Sequence, residues 1–238
     1  MKNSTKIIEI KGNTDNRLVT LAVAHGLNIN RKALVLTDSV EYCRIGESMG
    51  QCEGGAEVYR CGEVYVAIEP QLFVVRWNEN DDDDVDEGLN ELEGLVADTV
   101  DDASDLLGEE FDTILISWSN PMRTEFGTRI ELYDYKVGIV TKEENQYIWE
   151  TGSEGKAEDT GVTKYVVFYD KKDVRKFSDE GIERVIVNEK EMKLIRSIEK
   201  TGKLKLITGG YFAIAEDIAV KLCGVSAGAF KGILSKFA

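Results

Sequence analysis

A chain of 238 residues, 42% hydrophobic and 31% charged, has the balance of a folded globular protein and enough length to bury one large core or two small ones. No apolar run approaches the roughly 18 residues of a membrane span, and the start MKNSTKIIEI lacks the apolar segment of a secretory signal, which points to the cytoplasm and to no membrane partner. The net charge of −15 is unevenly placed: residues 156–238 hold 16 Lys and Arg against 12 Asp and Glu, so the acidity lies in the first 155 residues, which repel nucleic acid, while the mildly basic remainder is able to approach phosphates.

KIIEI reads as a strand, NRLVTLAVAHGL as a helix and KALVLT as a strand, followed by a Gly-rich connection through GESMGQCEGG. EVYRCGEVYVAIEPQLFVVRW alternates and is rich in Val, Tyr and Phe, which predicts paired strands with a break at Pro70. Cys43, Cys52 and Cys61 recur every nine residues, and Cys223 stands far from them; this spacing is unlike that of zinc knuckles. With His25 as the sole histidine, the expectation is free thiols in a reducing compartment and no metal. Four aspartates at 81–84 open a segment whose Leu89, Leu92, Leu95, Val96, Val100, Leu106 and Leu107 fall at helical spacing. Negative charge suits a helix N-terminus, and the run is out of register for a calcium loop. DTILISWS, RIELYDYKVGIVT, NQYIWET and KYVVFYD read as strands, and the polar stretch 152–161 as a boundary or hairpin loop. From Lys171 the pattern changes to helices: KKDVRKFSDEGI, NEKEMKLIRSIEKTG, FAIAEDIAVKLC and SAGAFKGILSKF, with a short KLKLIT between the second and third.

The expected fold class is therefore α+β. An acidic mixed sheet-and-helix domain over residues 1–165 would serve partner binding, dimerisation or sensing, and a small basic helical domain would follow over 171–238.

The segment CGVSAGAF, residues 223–230, focuses the functional question. As GxSxG, with Gly224, Ser226 and Gly228, it matches a hydrolase nucleophile elbow. That motif needs a strand before the serine and an activating partner; here a helical run precedes it, 12 residues follow it, and the sole histidine lies far upstream. As the turn of a helix-turn-helix the segment fits more widely. Ile218, Ala219 and Leu222 form the inner face of a first helix, Gly224 the left-handed turn and Val225 the filler. Ser226 caps a second helix whose Phe230, Ile233 and Leu234 face inward.

With EKEMKLIRSIEKTG ahead of AEDIAVKLCGVS, residues 188–237 resemble the helix-turn-helix domains of transcription regulators. They are most similar to the C-terminal module of archaeal bacterio-opsin-activator-like regulators. The resemblance implies duplex DNA as a partner of the C-terminal domain, with Lys203, Lys205, Lys221, Ser226, Lys231 and Lys236 at the interface. Arg, Asn and Gln are missing from the second helix, so phosphate contacts outweigh base readout. The leading reading is a DNA-binding regulatory protein with an acidic interaction domain, no cofactor and no catalytic residue.

Three alternatives stand beside it. The tail is equally readable as three helices packed on the α+β domain of a non-enzymatic assembly or inhibitor protein. Its acidic half would then bind a protein partner or a second copy, or cover a basic surface as viral inhibitors of nucleic-acid enzymes do. Asp134 and Lys136, two apart on a predicted strand, with Asp112 opening the preceding strand, have the layout of a Mg-dependent nuclease. Ser117 and Ser119 with Glu189 and Glu191 give an ADP-ribosyltransferase-like set, although NEKE also reads as the acidic first turn of a helix.

Overall fold

Among the described residues nine strands join in one sheet: β1 (Lys6–Gly12), β2 (Ala33–Thr37), β3 (Glu47–Gln51), β4 (Glu57–Cys61), β5 (Val64–Ile68), β6 (Thr113–Ser117), β7 (Tyr135–Thr141), β8 (Val162–Phe168) and β9 (Ile182–Ile186). The computed structural model describes residues 5–12, 16–28, 31–72, 85–118, 135–141, 162–175, 182–191, 193–194, 197 and 209–234. The strand order is β3-β4-β5-β2-β6-β1-β7-β8-β9. Every pairing from β5 to β9 is parallel, and only β3–β4 and β4–β5 are antiparallel. Gly62 turns β4 into β5 at φ +67, where a residue with a Cβ would be strained.

Parallel pairing requires crossovers: α1 (Arg17–Leu27) lies between β1 and β2, α2 (Val85–Leu107) between β5 and β6, and the short α3 (Lys171–Val174) between β8 and β9, while α4 (Gly210–Lys221) and α5 (Ala227–Leu234) follow the last strand. Successive strand residues point to opposite faces, so each central strand feeds two cores. Ile8, Ile10, Val35 and Leu115 join α1, α4 and α5 on one face; Ile7, Leu34, Leu36, Ile114 and Ile116 join Leu92, Val96, Val100 and Ala103 of α2 on the other. All five residues of β2 and of β6 are buried, as a central strand covered on both faces demands.

The two C-terminal helices complete the first face. Tyr211, Ile214, Ala215, Ile218 and Ala219 of α4 are buried in the same cluster as α1, together with Val225 and Phe230. Phe230 is fully buried and lies 5.5 Å from Phe212, ring to ring. It rests on Gly26 of α1, where an added Cβ would fall well inside contact distance of two ring carbons. Tyr165 of β8 donates a 2.7 Å hydrogen bond to Asp217, and Lys221 pairs with Asp217 at 2.9 Å and Glu183 at 3.3 Å, which fastens α4 to β8 and β9.

The α+β reading with a separate helical tail is thus corrected. The sheet is predominantly parallel with helices on both faces, β8 crosses residue 165, and the tail helices cover the common core. The described part of KKDVRKFSDEGI forms the four-residue α3, residues 176–181 lie outside the described residues, and an unforeseen edge strand occupies Ile182–Ile186. The Gly-rich connection holds β3. NQYIWET lies outside the described residues. Among the described residues no helix is long and apolar enough to cross a membrane.

Candidate functional site

In an open parallel sheet, the crevice for a ligand forms beyond the carboxyl ends of strands whose connections depart in opposite directions. Here α1 carries the chain from β1 to β2 on one side, whereas the chain leaving β6 re-enters the sheet at β7, on the far side of β1. The carboxyl ends of β1, β6 and β2 and the mouth of α1 therefore converge.

A buried polar cluster occupies this point. Asn16, the residue at the mouth of α1, donates from Nδ2 to the Ile10 carbonyl at 3.2 Å and accepts at Oδ1 from Ser117 Oγ, also at 3.2 Å. Ser117 Oγ lies 3.2 Å from the Tyr42 hydroxyl. Since a hydroxyl carries one proton and that of Ser117 goes to Asn16, Tyr42 is the donor. Thr20 spends its single proton on the Asn16 carbonyl at 3.0 Å, with Ser117 Oγ the longer alternative at 3.4 Å. Thr37 Oγ1 donates to the Ser117 carbonyl at 2.5 Å and accepts from the Ser39 backbone N–H at 3.1 Å. Asn16, Thr20, Thr37, Tyr42 and Ser117 are each at most 4% exposed, so the cluster consumes its own donors and acceptors in a dry setting where they count most.

The rim is acidic. Trp118 Nε1 donates to the buried Glu9 at 2.9 Å, Asp38 and Glu69 are buried at the ends of β2 and β5, and Glu69 accepts from the Gln71 N–H at 2.9 Å. Arg17, which opens α1, pairs with Glu41 at 2.5 Å. No group of three or more His, Cys, Asp or Glu among the described residues has metal-holding geometry.

On the opposite, amino-terminal edge of the sheet, a cavity of about 630 Å³ lies between the end of α2 and the start of β6. Asp101, Asp105, Glu109 and Glu110 stand around Val100 and Phe111. A neighbouring cavity of about 410 Å³ shares Glu109 and Phe111 and adds Lys32, Arg60 and Tyr65. Lys32 pairs with Glu109, and Tyr65 meets Phe111 edge-on at 6.3 Å.

The residues singled out by sequence are dispersed. Asp112 is exposed and ties β6 to the entry of β2, its carboxylate accepting from the Lys32 N–H at 3.3 Å and its own N–H donating to the Lys32 carbonyl at 2.8 Å. Lys136 is level with Glu9 and hence with Ile116; this is four residues beyond Asp112, about 13 Å along the strands, with β1 between them. Asp134 lies outside the described residues. Lys221 and Lys231 are held by ion pairs, the latter with Glu216 at 3.1 Å. Ser226 accepts from the Ala229 N–H at 3.2 Å and Gly224 has φ +69, so the turn has the expected local form. Lys203, Lys205, Lys236 and Ser119 lie outside the described residues. Ser117 belongs to the cluster above. Glu191 accepts from the N–H groups of Asn188 at 2.8 Å and Tyr211 at 3.0 Å, and Glu189 pairs with Lys193 at 2.7 Å. Asn16, Thr37 and Tyr42 were not anticipated; the strand–turn–helix KIIEIKGNTDNRL was the available signal.

No protein-family model and no curated protein matches the chain. Solved structures match it in fold. A chain of the MinC:MinD cell division protein complex of Aquifex aeolicus superimposes with a TM-score of 0.54 at 14% identity, over 93% of this chain and 97% of that one. MinD of the same organism gives 0.52 at 14% identity, over 93% and 98%. A protein assigned to plasmid partition in Borrelia burgdorferi B31, bound to AMPPNP, gives 0.52 at 12% identity, over 98% and 99%. The fold is thus that of MinD and the partition proteins, and it corrects the reading of a helix-turn-helix transcription regulator: the two tail helices belong to this α/β architecture. Of the nuclease set, Asp112 and Lys136 stand on strands separated by β1.

The AMPPNP of the third structure raises a nucleotide as the ligand of this fold. A strand–loop–helix that cradles phosphates carries GxxxxGK[ST], with Mg²⁺ held by the hydroxyl and a carboxylate on another strand. Residues 10–17, which lead from β1 into α1, read IKGNTDNR. With the lysine position of the pattern set at the mouth of α1, Ile10 and Asp15 stand at its two glycines, Asn16 at the lysine and Arg17 at the hydroxyl, and the strand beside β1 ends in Ser117. These residues do not fit a magnesium triphosphate.

Proposed function

We propose that the chain is a division- or partition-type protein that works in the cytoplasm by holding a protein partner. The support is the extent of the fold match: nearly the whole chain superimposes on nearly the whole of MinD and of the partition protein, and one of those MinD structures is a complex with MinC. Charge defines the partner's chemistry. At −15 the chain repels polyanions and attracts basic surfaces. The groove at the end of α2 sets carboxylates around Val100 and Phe111, a lining that takes both the apolar stem and the charged head of Arg or Lys.

Affinity capture from the cells that make the protein, with wild type and the Asp101→Lys/Asp105→Lys variant as paired baits, tests the reading. Asp101 and Asp105 are exposed, so the variant keeps the wild-type melting temperature within about 2 °C. The expected result is a protein with a basic segment that is retained by wild type and depleted about tenfold or more with the variant. Identical profiles from both baits and from an unrelated acidic protein would overturn the proposal.

A further inference from the structure

We infer that the ligand crevice of this fold is closed by the chain's own side chains, and that the protein holds its state without Mg·ATP. The inference rests on the preceding reading only in taking the carboxyl ends of β1 and β6 as the fold's ligand crevice.

The observations come from both sides of that crevice. On the α1 side, the amide of Asn16 spends its Oδ1 and a proton of Nδ2 on Ser117 and Ile10. A lysine ammonium has three donors and no acceptor, so it could not take the Ser117 proton; Asn16 is matched to an internal partner rather than to a phosphate. On the β6 side, Ser117 receives Tyr42, gives to Asn16 and is anchored through its carbonyl by Thr37. A carboxylate there would face Asn16 Oδ1 at the same distance and repel it. The two side chains are therefore matched to each other and not to phosphate and Mg²⁺. The mouth of α1 is thereby tied to the ends of β6 and β2.

Thermal unfolding of the full chain with 5 mM Mg·ATP, Mg·ADP or Mg·AMPPNP, paired with phosphate-release assays, tests this. A nucleotide present at ~100 times its Kd would raise the Tm of a chain this size by about 5–10 °C. We expect a shift below ~1 °C in wild type, and phosphate release no faster than that of heat-denatured protein. Asn16→Ala should melt lower than wild type by an amount that is the same with and without nucleotide. A rise of several degrees in wild type, or Mg²⁺-dependent phosphate release that Asn16→Ala abolishes, overturns the inference; if Asn16→Ala does not fold, the wild-type measurement decides alone. Neither readout involves a partner, so this inference and the partner reading fail independently.

Discussion

If the tail helices are part of the common core, the Phe230 ring and the missing side chain of Gly26 are one interaction seen from two helices, and a double-mutant cycle measures it. Phe230 is fully buried, so Phe230→Ala should cost about 3–5 kcal/mol, or ~6–20 °C in Tm at about 2–4 °C per kcal/mol for a chain of this length. Gly26→Ala forces a methyl against the ring. Overpacking of that kind costs about 1–3 kcal/mol, offset by the ~1 kcal/mol that Ala gains over Gly in a helix. The single variant should thus be ~0–2 kcal/mol less stable than wild type. In the Phe230→Ala background the clash is gone and the same methyl enters a void, so Gly26→Ala should be neutral or stabilising by up to ~1 kcal/mol. The two changes are therefore coupled by about 1–3 kcal/mol, measurable by urea unfolding of the four proteins followed by circular dichroism. Additivity within ~0.5 kcal/mol, or a chain ending at residue 208 with an unchanged urea midpoint, would refute the docking of α5 on α1 and restore a separate tail domain.

Thiol chemistry and pH give two further checks. Cys43 is exposed, whereas burial pushes the thiol of Cys61 up to about 12, that of Cys223 up to about 11, and raises that of Cys52. One of the four thiols should react rapidly with Ellman's reagent at pH 8 and the other three only on unfolding; two or more fast thiols would contradict the assigned burial. His25 is 1% exposed, and burial holds its pKa below the ordinary value against a smaller opposing pull from Glu63. The unfolded chain takes up a proton at about pH 6.5 that the folded chain refuses. This contribution to stability is present above that pH and is lost as pH falls through it toward the folded value, by up to ~1.4 kcal/mol per unit. Between pH 7.5 and 5.5 wild type should lose more stability than His25→Gln; parallel profiles would show that the imidazole is not desolvated.

Local structure was largely legible in this sequence, and long-range pairing was not. β1, α1, β2, the β4–β5 hairpin, α2, β6, β8, α4 and α5 coincide with runs whose periodicity or β-branched content announces them. Two strands escaped because both lie at sheet edges. Ile182–Ile186 carries Glu183 and Arg184, and Glu47–Gln51 is almost wholly exposed; charge and exposure protect an edge from unwanted pairing and erase the apolar alternation that marks a strand. With β9 unseen, the strands before residue 168 looked like one block and the helices after it like another, which is the α+β pattern. The unbroken apolar runs ALVLT and TILIS carried the contrary message, because a strand buried on both faces belongs to a parallel sheet under helices.

The site was harder to read for a different reason. Asn16, Thr37 and Ser117 are small polar residues at the ends of elements, where such residues are common as caps and strand terminators, and they lie 21 to 101 positions apart in sequence. Only the parallel registers that set Thr37 and Ile10 beside Ser117 make them neighbours. A phosphate-binding loop is visible as a contiguous pattern; a cluster of side chains from separate elements leaves no contiguous trace. By contrast, the tail drew attention through a contiguous segment, CGVSAGAF, whose turn geometry is real but is spent on packing. Ile218, Ala219, Val225 and Phe230, which read as the inner face of a helix-turn-helix unit, are buried in the core shared with α1, and Lys221 and Lys231, which read as phosphate contacts, neutralise carboxylates on the protein's own surface. A short motif reports local backbone form; which surface that form presents is decided by the elements it packs against.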